Sequence, residues 1–352
     1  MTTTSQSIGR SRVTLSRVAE EGGVSVSTAS KVLNGRSGVG ADTRRAIEEV
    51  AERLGYIGVG ERERPQRGSR EPLIEVVVDS LRNPYTLALL CGAVQAAENA
   101  ELAIVTRSLS AIEKETSLKW AQRLARGGRI GVIEVTSEFS VERVRALQTV
   151  GLPFVLVDPL EVPRMSLVSV GATNWAGGME ATRHLIELGH VDIAYIGGPS
   201  GADCDVARTH GYQAAMQQAG LPIDLTEVVH GPFTFEQGLA AGTEVLGRPV
   251  PPTAIFAASD VTAMGVLEAA RTLGISVPGQ LSIVGFDNTL LAHTSSPRLT
   301  TIHQPVEEIG QTAVETVQKL ARGEVLPSKR VELATHLVIR DSTAPPPSLG
   351  GS

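Results

Sequence analysis

Two rhythms of apolar residues divide this chain. Between residues 13 and 57 the apolar positions recur at three- and four-residue spacing. Leu15, Val18 and Ala19 form one set, Ala29, Val32 and Leu33 a second, and Ile47, Val50, Ala51 and Leu54 a third. That spacing predicts three short amphipathic helices closing on one small core. From Pro72 onward, short β-branched runs alternate with amphipathic stretches. LIEVVVD (73–79), LAIVTR (102–107), GVIEVT (131–136), FVLVDP (154–159), LVSVGA (167–172), DIAYIGG (192–198), TAIFAA (253–258) and LSIVGFDN (281–288) read as buried parallel strands. Segments 86–99, 115–126, 174–188, 206–219, 236–246 and 261–273 read as the helices between them. Such alternation predicts an α/β fold of doubly wound parallel sheets, and so many elements in 72–341 predict two lobes.

The first two helices meet at a sharp corner. Thr14 is in place to cap the first through its hydroxyl, Gly22-Gly23 breaks it, and Val24 fills the corner. Ser25 caps the second helix, whose outward residues Val26, Ser27, Thr28, Ser30 and Lys31 are small, hydroxylated or basic. A helix of that kind fits a major groove, its N-terminal end aimed at base edges. Asp42 and Thr43 are candidate caps for the third helix. An αα-hairpin from an ordinary bundle would show the same glycines and caps.

The wording of the segment goes further. Thr14-Leu15, Val18-Ala19, Gly23-Val24-Ser25, Ser27-Thr28, Ser30, Val32 to Gly35, Thr43-Arg44 and Leu54-Gly55-Tyr56 closely resemble the headpiece of the LacI/GalR family of bacterial repressors. The likeness continues through ATRHLIELGHVDIAYIGG (181–198), RTHGYQAAM (208–216), 259–288 and SPRLTTIHQPVEEIGQTA (296–313), covering residues 12–341 in all. It implies an N-terminal three-helix helix-turn-helix headpiece (1–57), a hinge (58–71) and a two-lobed α/β core like that of periplasmic binding proteins (72–341). The lobe crossings are placed near 170, 290 and 322. The Pro/Gly/Ser-rich tail, 342–352, reads as disordered. The family's hinge helix wedges a leucine into the minor groove, but here that place falls on Pro65, and Gly58-Val59 replace the usual Pro-Asn. Arg62, Arg64, Arg67 and Arg70 are left as phosphate contacts, or the stretch is a solvated tether.

Charge refines this division. The chain of 352 residues carries a net −6, which taken whole argues against a nucleic-acid binder. Residues 1–70, however, hold 12 lysines and arginines against 8 acidic residues, and the remaining 282 hold 20 against 30. The net +4 sits where phosphate contact is wanted, and the −10 sits elsewhere. Cys91 and Cys204 show no metal or redox spacing and read as buried thiols in a reducing compartment. No apolar run is long enough for a membrane span, and MTTTSQSIGRSR has no signal-peptide core, so the expected location is cytoplasmic. No cofactor or metal is expected.

The core's effector cleft is expected at the carboxyl ends of the strands. A sugar would need fixed polar groups at its edge and an aromatic plane against its C–H face. By resemblance, Arg208 is the forked ligand-binding arginine, Asp287 the carboxylate accepting hydroxyl protons, and Phe233 and Phe286 the aromatics. Ser259, Asn83, Tyr85 and Asp158 complete the candidates; Trp175 is expected to pack near the lobe boundary, and His190 to be a turn residue. On DNA, Ser27 and Lys31 are the leading base readers, with Val26 against a thymine methyl. Thr14, Ser25, Arg44 and Arg45 are placed on phosphates. The resulting expectation is a homodimeric repressor on a pseudo-palindromic operator, with affinity changed by a sugar or glycoside. A nucleobase corepressor response and a solute-binding protein without a DNA role are the alternatives. An enzyme is not expected: no Ser-His-Asp order or metal cluster emerges, and His184, His190, His210 and His293 are scattered.

Overall fold

The computed structural model describes residues 14–33, 38–54, 71–136, 140–159, 167–223 and 228–347. Pro65, the hinge arginines and Gly58-Val59 lie outside these. The chain divides into two compact units, Met1–Arg70 and Glu71–Ser352.

In the first unit, α1 (Leu15–Glu21), α2 (Val26–Leu33) and α3 (Ala41–Leu54) pack around Val18, Ala19, Ala29, Val32, Ile47 and Ala51. The corner forms as the two glycines predict: Gly22 ends α1 and Gly23 takes the left-handed φ of +64°. Two capping expectations are corrected. Thr14 makes no side-chain cap bond; its carbonyl instead accepts from the amides of Arg17 and Val18. Asp42 and Thr43 lie inside α3, because the helix starts at Ala41 and the Gly40 carbonyl already accepts from the Arg44 amide.

The second unit begins with β1 (Leu73–Val78), α4 (Pro84–Asn99), β2 (Ala103–Ser108), α5 (Leu109–Ile112), α6 (Ser117–Arg126), β3 (Arg129–Val135), α7 (Val141–Thr149), β4 (Phe154–Val157) and β5 (Val168–Ala172). It crosses into a second lobe with α8 (Asn174–Glu187), β6 (Ile193–Ile196), α9 (Asp203–Gln218), α10 (Phe235–Leu246), β7 (Ala254–Ala257) and α11 (Asp260–Thr272). That lobe is completed by β8 (Ser282–Asp287), α12 (Leu290–Thr294) and β9 (Thr300–His303). The chain returns through α13 (Val306–Ala321) and β10 (Arg330–Leu333), then ends with β11 (His336–Val338). The first sheet runs β10-β5-β4-β3-β1-β2, all parallel; the second runs β11-β9-β8-β7-β6, with only β11 antiparallel.

The first crossing lies between Ala172 and Asn174. The second lies between His303 and Val306 rather than near 290, and the third between Leu333 and His336 rather than near 322. Both differ from the expected places because β9 and β10 carry no apolar run. β9 reads TTIH, with two buried threonines, and β10 reads RVEL on a half-exposed edge.

The tail is also corrected. Ser342 is fully buried, accepting from the Thr300 amide at 2.8 Å and donating to the Ile283 carbonyl at 2.6 Å. Ala344 accepts from or bonds His190 and Ser282, so residues 342–347 belong to the second lobe. Cys204 is buried as expected, but Cys91 is exposed on α4.

Three helix pairs meet backbone to backbone. Gly178 of α8 lies under the Arg208 carbonyl, and Gly211 of α9 under that of Trp175. Gly238 and Gly265 make the same reciprocal contact between α10 and α11, as do Gly92 and Gly310 between α4 and α13. A Cβ at any of the six would collide with a carbonyl oxygen, so only glycine permits this approach.

Candidate functional site

The exposed face of α2 carries the residues singled out for DNA. Val26, Ser27 and Lys31 are exposed, while Thr28 and Ser30 are half-buried. The Ser25 hydroxyl accepts from the Thr28 amide at 3.1 Å and bonds the hydroxyls of Ser27 and Thr28 at 2.8 Å each. This cluster caps the helix and concentrates hydroxyls at the end a groove would admit. Arg44 donates to the Val32 carbonyl at 3.4 Å, tying α3 to the end of α2. Arg45 is exposed beside Asp42, 3.3 Å away.

The second site lies between the two sheets. Asn83, Tyr85, Asp158, Arg208, Phe233, Ser259 and Asp287 line one small cavity of about 30 Å³, joined by Thr136 and Cys204. Most stand at the carboxyl end of a strand or in the loop or helix turn that follows; Arg208 reaches in from the second turn of α9, and Phe233 from the loop before α10. Backbone strain collects here too. Thr136, Asp158, Asp287 and Asn288 all have positive φ, which places non-glycine residues in a sparsely populated region.

Arg208 is the hub. Its Nε donates to Asn174 Oδ1 at 2.9 Å and its Nη1 to the Ala258 carbonyl at 2.5 Å. Its guanidinium carbon lies 3.8 Å from the Phe286 centroid and 5.8 Å from that of Phe233. Burial opposes its charge, but Cys204, Asp287, Tyr195 and Asp158 around it raise its pKa above the ordinary arginine value. Phe286 was expected against a ligand; instead it is fully buried beneath Arg208, where Gly177 leaves room for its ring. Its face is already occupied by the guanidinium.

The acids behave unlike surface carboxylates. Burial pushes Asp287 up to about 8, against the pull of Arg208. Gln304, at the second lobe crossing, donates to Asp287 Oδ1 at 2.6 Å. Asp158 is likewise raised by burial, although the Tyr85 hydroxyl donates to it in a short bond. Burial and the neighbouring Asp158 hold Tyr85 well above its usual range, so it stays a donor. Asn83 and Ser259 also act as helix caps, accepting from the Tyr85 amide at 3.0 Å and the Thr262 amide at 3.1 Å. The buried Asp205 accepts from Tyr195 at 2.6 Å and lies 3.1 Å from His230, in the loop that carries Phe233. His190 is buried between Thr253 and Ser282, a structural turn residue. Trp175 is 47% exposed, and so less packed than expected.

Sequence reading missed Thr136, Cys204, Asn174 and Gln304. Thr136 ends a strand that had been recognised, so the rule that found Asp158 applies to it equally. Cys204, four residues before Arg208 on α9, carries no signal of its own.

Comparison with known proteins bears directly on both sites. Residues 14–58 match the family of bacterial regulatory proteins, lacI family, and residues 182–343 match the periplasmic binding protein-like domain. The HTH-type transcriptional regulator DegA of Bacillus subtilis is 32% identical over 95% of this chain and 99% of its own length. This chain belongs to the LacI family. It is therefore a DNA-binding transcriptional regulator with a helix-turn-helix headpiece and a periplasmic-binding-protein-like core. The regulator CelR of Thermobifida fusca is also 32% identical, over 95% of this chain and 99% of its own. A solved transcriptional regulator CelR–cellobiose complex superposes with a TM-score of 0.70, at 31% identity over 94% of this chain and all of the other. A lac repressor dimer bound to operator and the anti-inducer ONPF gives 0.73, at 25% identity over 95% of this chain and all of that one. These relatives are transcriptional regulators, and among the described residues no helix is long and apolar enough to cross a membrane.

Proposed function

We propose that this LacI-family regulator is a cytoplasmic, non-enzymatic repressor that binds a pseudo-palindromic operator as a homodimer and changes affinity when a sugar or glycoside enters the interlobe cleft. The convergence of Arg208, Asp287, Asp158 and Tyr85 on one cavity carries the effector half of this reading. They offer a forked cation, two buried acids and a phenol donor, with Phe233 as the apolar wall. That set suits a ring of hydroxyls with one C–H face. The CelR–cellobiose complex and the operator-bound lac repressor dimer support the same reading by likeness.

A cavity of about 30 Å³ holds roughly one water. A sugar ring enters only if the lobes part at the three crossings, and that requirement couples binding to lobe arrangement. In the headpiece, Ser27 and Lys31 read base edges, Val26 meets a thymine methyl, and Thr28 and Ser30 flank them. Thr14, Ser25, Arg44 and Arg45 position phosphates. One headpiece contacts few base pairs, so useful affinity takes two.

The test is fluorescence anisotropy of the full chain on DNA from its own promoter region, at fixed salt, with a panel of sugars. Tight binding weakened by one sugar supports the reading. Specific binding that no sugar alters rejects the effector half, and binding blind to sequence rejects the DNA half.

A further inference from the structure

Strand β6 runs out into Gly197-Gly198, and the loop leading to α10 folds back over those two residues. The Val229 carbonyl accepts from the Gly197 amide at 2.8 Å, and the Gly231 amide donates to the Gly198 carbonyl at 3.2 Å. Each glycine leaves room for one side chain of the loop. A Cβ on Gly197 would stand 2.9 Å from His230 Nδ1, and one on Gly198 would run into the Phe233 ring. We propose that His230 is a positioning residue for the effector site: through Asp205 it pins this loop and so fixes the Phe233 wall before a sugar arrives. The proposal rests on the sugar reading above and adds to it a residue outside the cavity lining.

The bonding around Asp205 defines what His230 does. Asp205 stands fully buried on the first turn of α9, three residues before Arg208. A buried carboxylate is costly unless donors surround it. Its Oδ1 accepts from the Tyr195 hydroxyl at 2.6 Å and the Gly198 amide at 2.7 Å. Its Oδ2 lies 3.1 Å from His230 Nδ1, which also lies 3.2 Å from the Gly198 carbonyl. Both neighbours are acceptors, so Nδ1 carries the hydrogen and donates to them.

The path from His230 to Phe233 is short and held at both ends. Only Gly231 and Pro232 intervene, and the proline ring fixes its own φ. Beyond Phe233, Thr234 caps α10 by accepting from the Gln237 amide at 3.2 Å, and Gln237 Nε2 donates back to the His230 carbonyl at 3.2 Å. The Phe233 ring therefore rests on Gly198, its centroid 5.8 Å from the Arg208 guanidinium carbon. Asp205 holds the loop from the same helix that carries Arg208, so cation and wall are set from one base. A wall already in place spares the binding step the cost of ordering it.

The experiment labels the full chain with 4-fluorophenylalanine. The chain has six phenylalanines, and Phe233→Leu identifies the Phe233 fluorine resonance. His230→Ala should shift and broaden that resonance while thermal unfolding stays cooperative. His230→Asn should restore it, because an asparagine amide nitrogen takes the place of Nδ1 and donates the same bond. Calorimetry with ribose, glucose and cellobiose measures the consequence. For a sugar that binds the unaltered chain, His230→Ala should weaken binding about tenfold. His230→Asn should stay close to the unaltered affinity, and sugar-free operator binding should not change in either variant. In a Phe233→Ala background His230→Ala should add nothing, since the ring it positions is gone. Gly198→Ala displaces the ring without removing His230, and should weaken the same sugar to a similar degree. An unmoved resonance, an undiminished affinity in His230→Ala or Gly198→Ala, or a full loss that persists without the Phe233 ring overturns the positioning role and leaves the sugar reading standing. If no sugar binds at all, the effector reading falls and takes this role with it.

Discussion

The guanidinium carbon of Arg208 lies 3.8 Å from the centroid of the Phe286 ring, a cation held face-on against a fully buried aromatic. The ring fixes the plane of the fork, and the bonds to Asn174 and the Ala258 carbonyl fix its rotation. Lysine keeps the charge but loses both the plane and the fork. Arg208→Lys should weaken effector binding by about 10- to 100-fold, roughly 1.4 to 3 kcal/mol, and leave effector-free operator binding unchanged. Calorimetry and anisotropy on the same preparation check it; loss of both activities would mean that Arg208 supports the fold rather than the ligand.

The stabilising contribution of two buried acids should fall as pH rises towards 8. An unfolded aspartate titrates near 3.9, whereas burial pushes Asp260 up to about 6 and Asp287 up to about 8. Between those values the unfolded chain has released protons that the folded chain retains. The unfolded state binds fewer protons, so the stabilising contribution is full below about pH 4 and is lost through about 6 for Asp260 and about 8 for Asp287. The contribution of these two acids to the melting temperature should therefore decline from pH 5 to 8. It runs against the opposite slope of His184, His190 and His303, whose values burial lowers. Asp287→Asn should make the slope from 6 to 8 less negative than that of the unaltered protein. Scanning calorimetry of both proteins decides it: parallel curves would place Asp287 in a wetter setting than its burial indicates.

Gly178 allows α8 and α9 to touch directly under Arg208. Alanine there must push the helices apart, at a cost of about 1–3 kcal/mol. Gly178→Ala should lower the melting temperature and, by displacing the Arg208 backbone, also weaken effector binding. Thermal unfolding alongside effector titration checks both effects; an unchanged melting point would mean that the contact relaxes freely.

On DNA, Lys31 and Arg45 should fail differently. Lys31→Ala should relax discrimination between operator and altered sequences by about 1–3 kcal/mol, as loss of a base-edge contact does. Arg45→Ala should weaken binding to all sequences alike and reduce the slope of log affinity against log salt by about 1. Salt titrations on operator and scrambled duplexes separate the two roles, and swapped behaviour would reverse the assignment.

Much of this molecule is legible in its residues because strand ends and helix spacing are local facts. Eight strands announce themselves by apolar runs, and five effector candidates, Asn83, Tyr85, Asp158, Ser259 and Asp287, fall around one cavity because each follows such a strand, with Arg208 and Phe233 joining them by family likeness. What escaped was decided by partners distant in sequence. Thr300 and Thr301 look polar and yet are buried in β9. The tail reads as loose until Ser342 meets Ile283, 59 positions away. Phe286 reads as a stacking platform until Arg208 is seen to lie on it. Asn174 and Gln304 matter through the side chains they hold, a property no local pattern displays.

The reciprocal glycine contacts also bear on how such a regulator can diversify. Six positions clamp three helix pairs at backbone distance, so any side chain larger than hydrogen there disturbs a whole lobe. Most cavity-lining residues, by contrast, stand at strand ends or in loops, where an exchange leaves the helix pairs in place. Inheritance can thus rewrite what the cleft accepts, one residue at a time, while the scaffold that carries the response stays unedited.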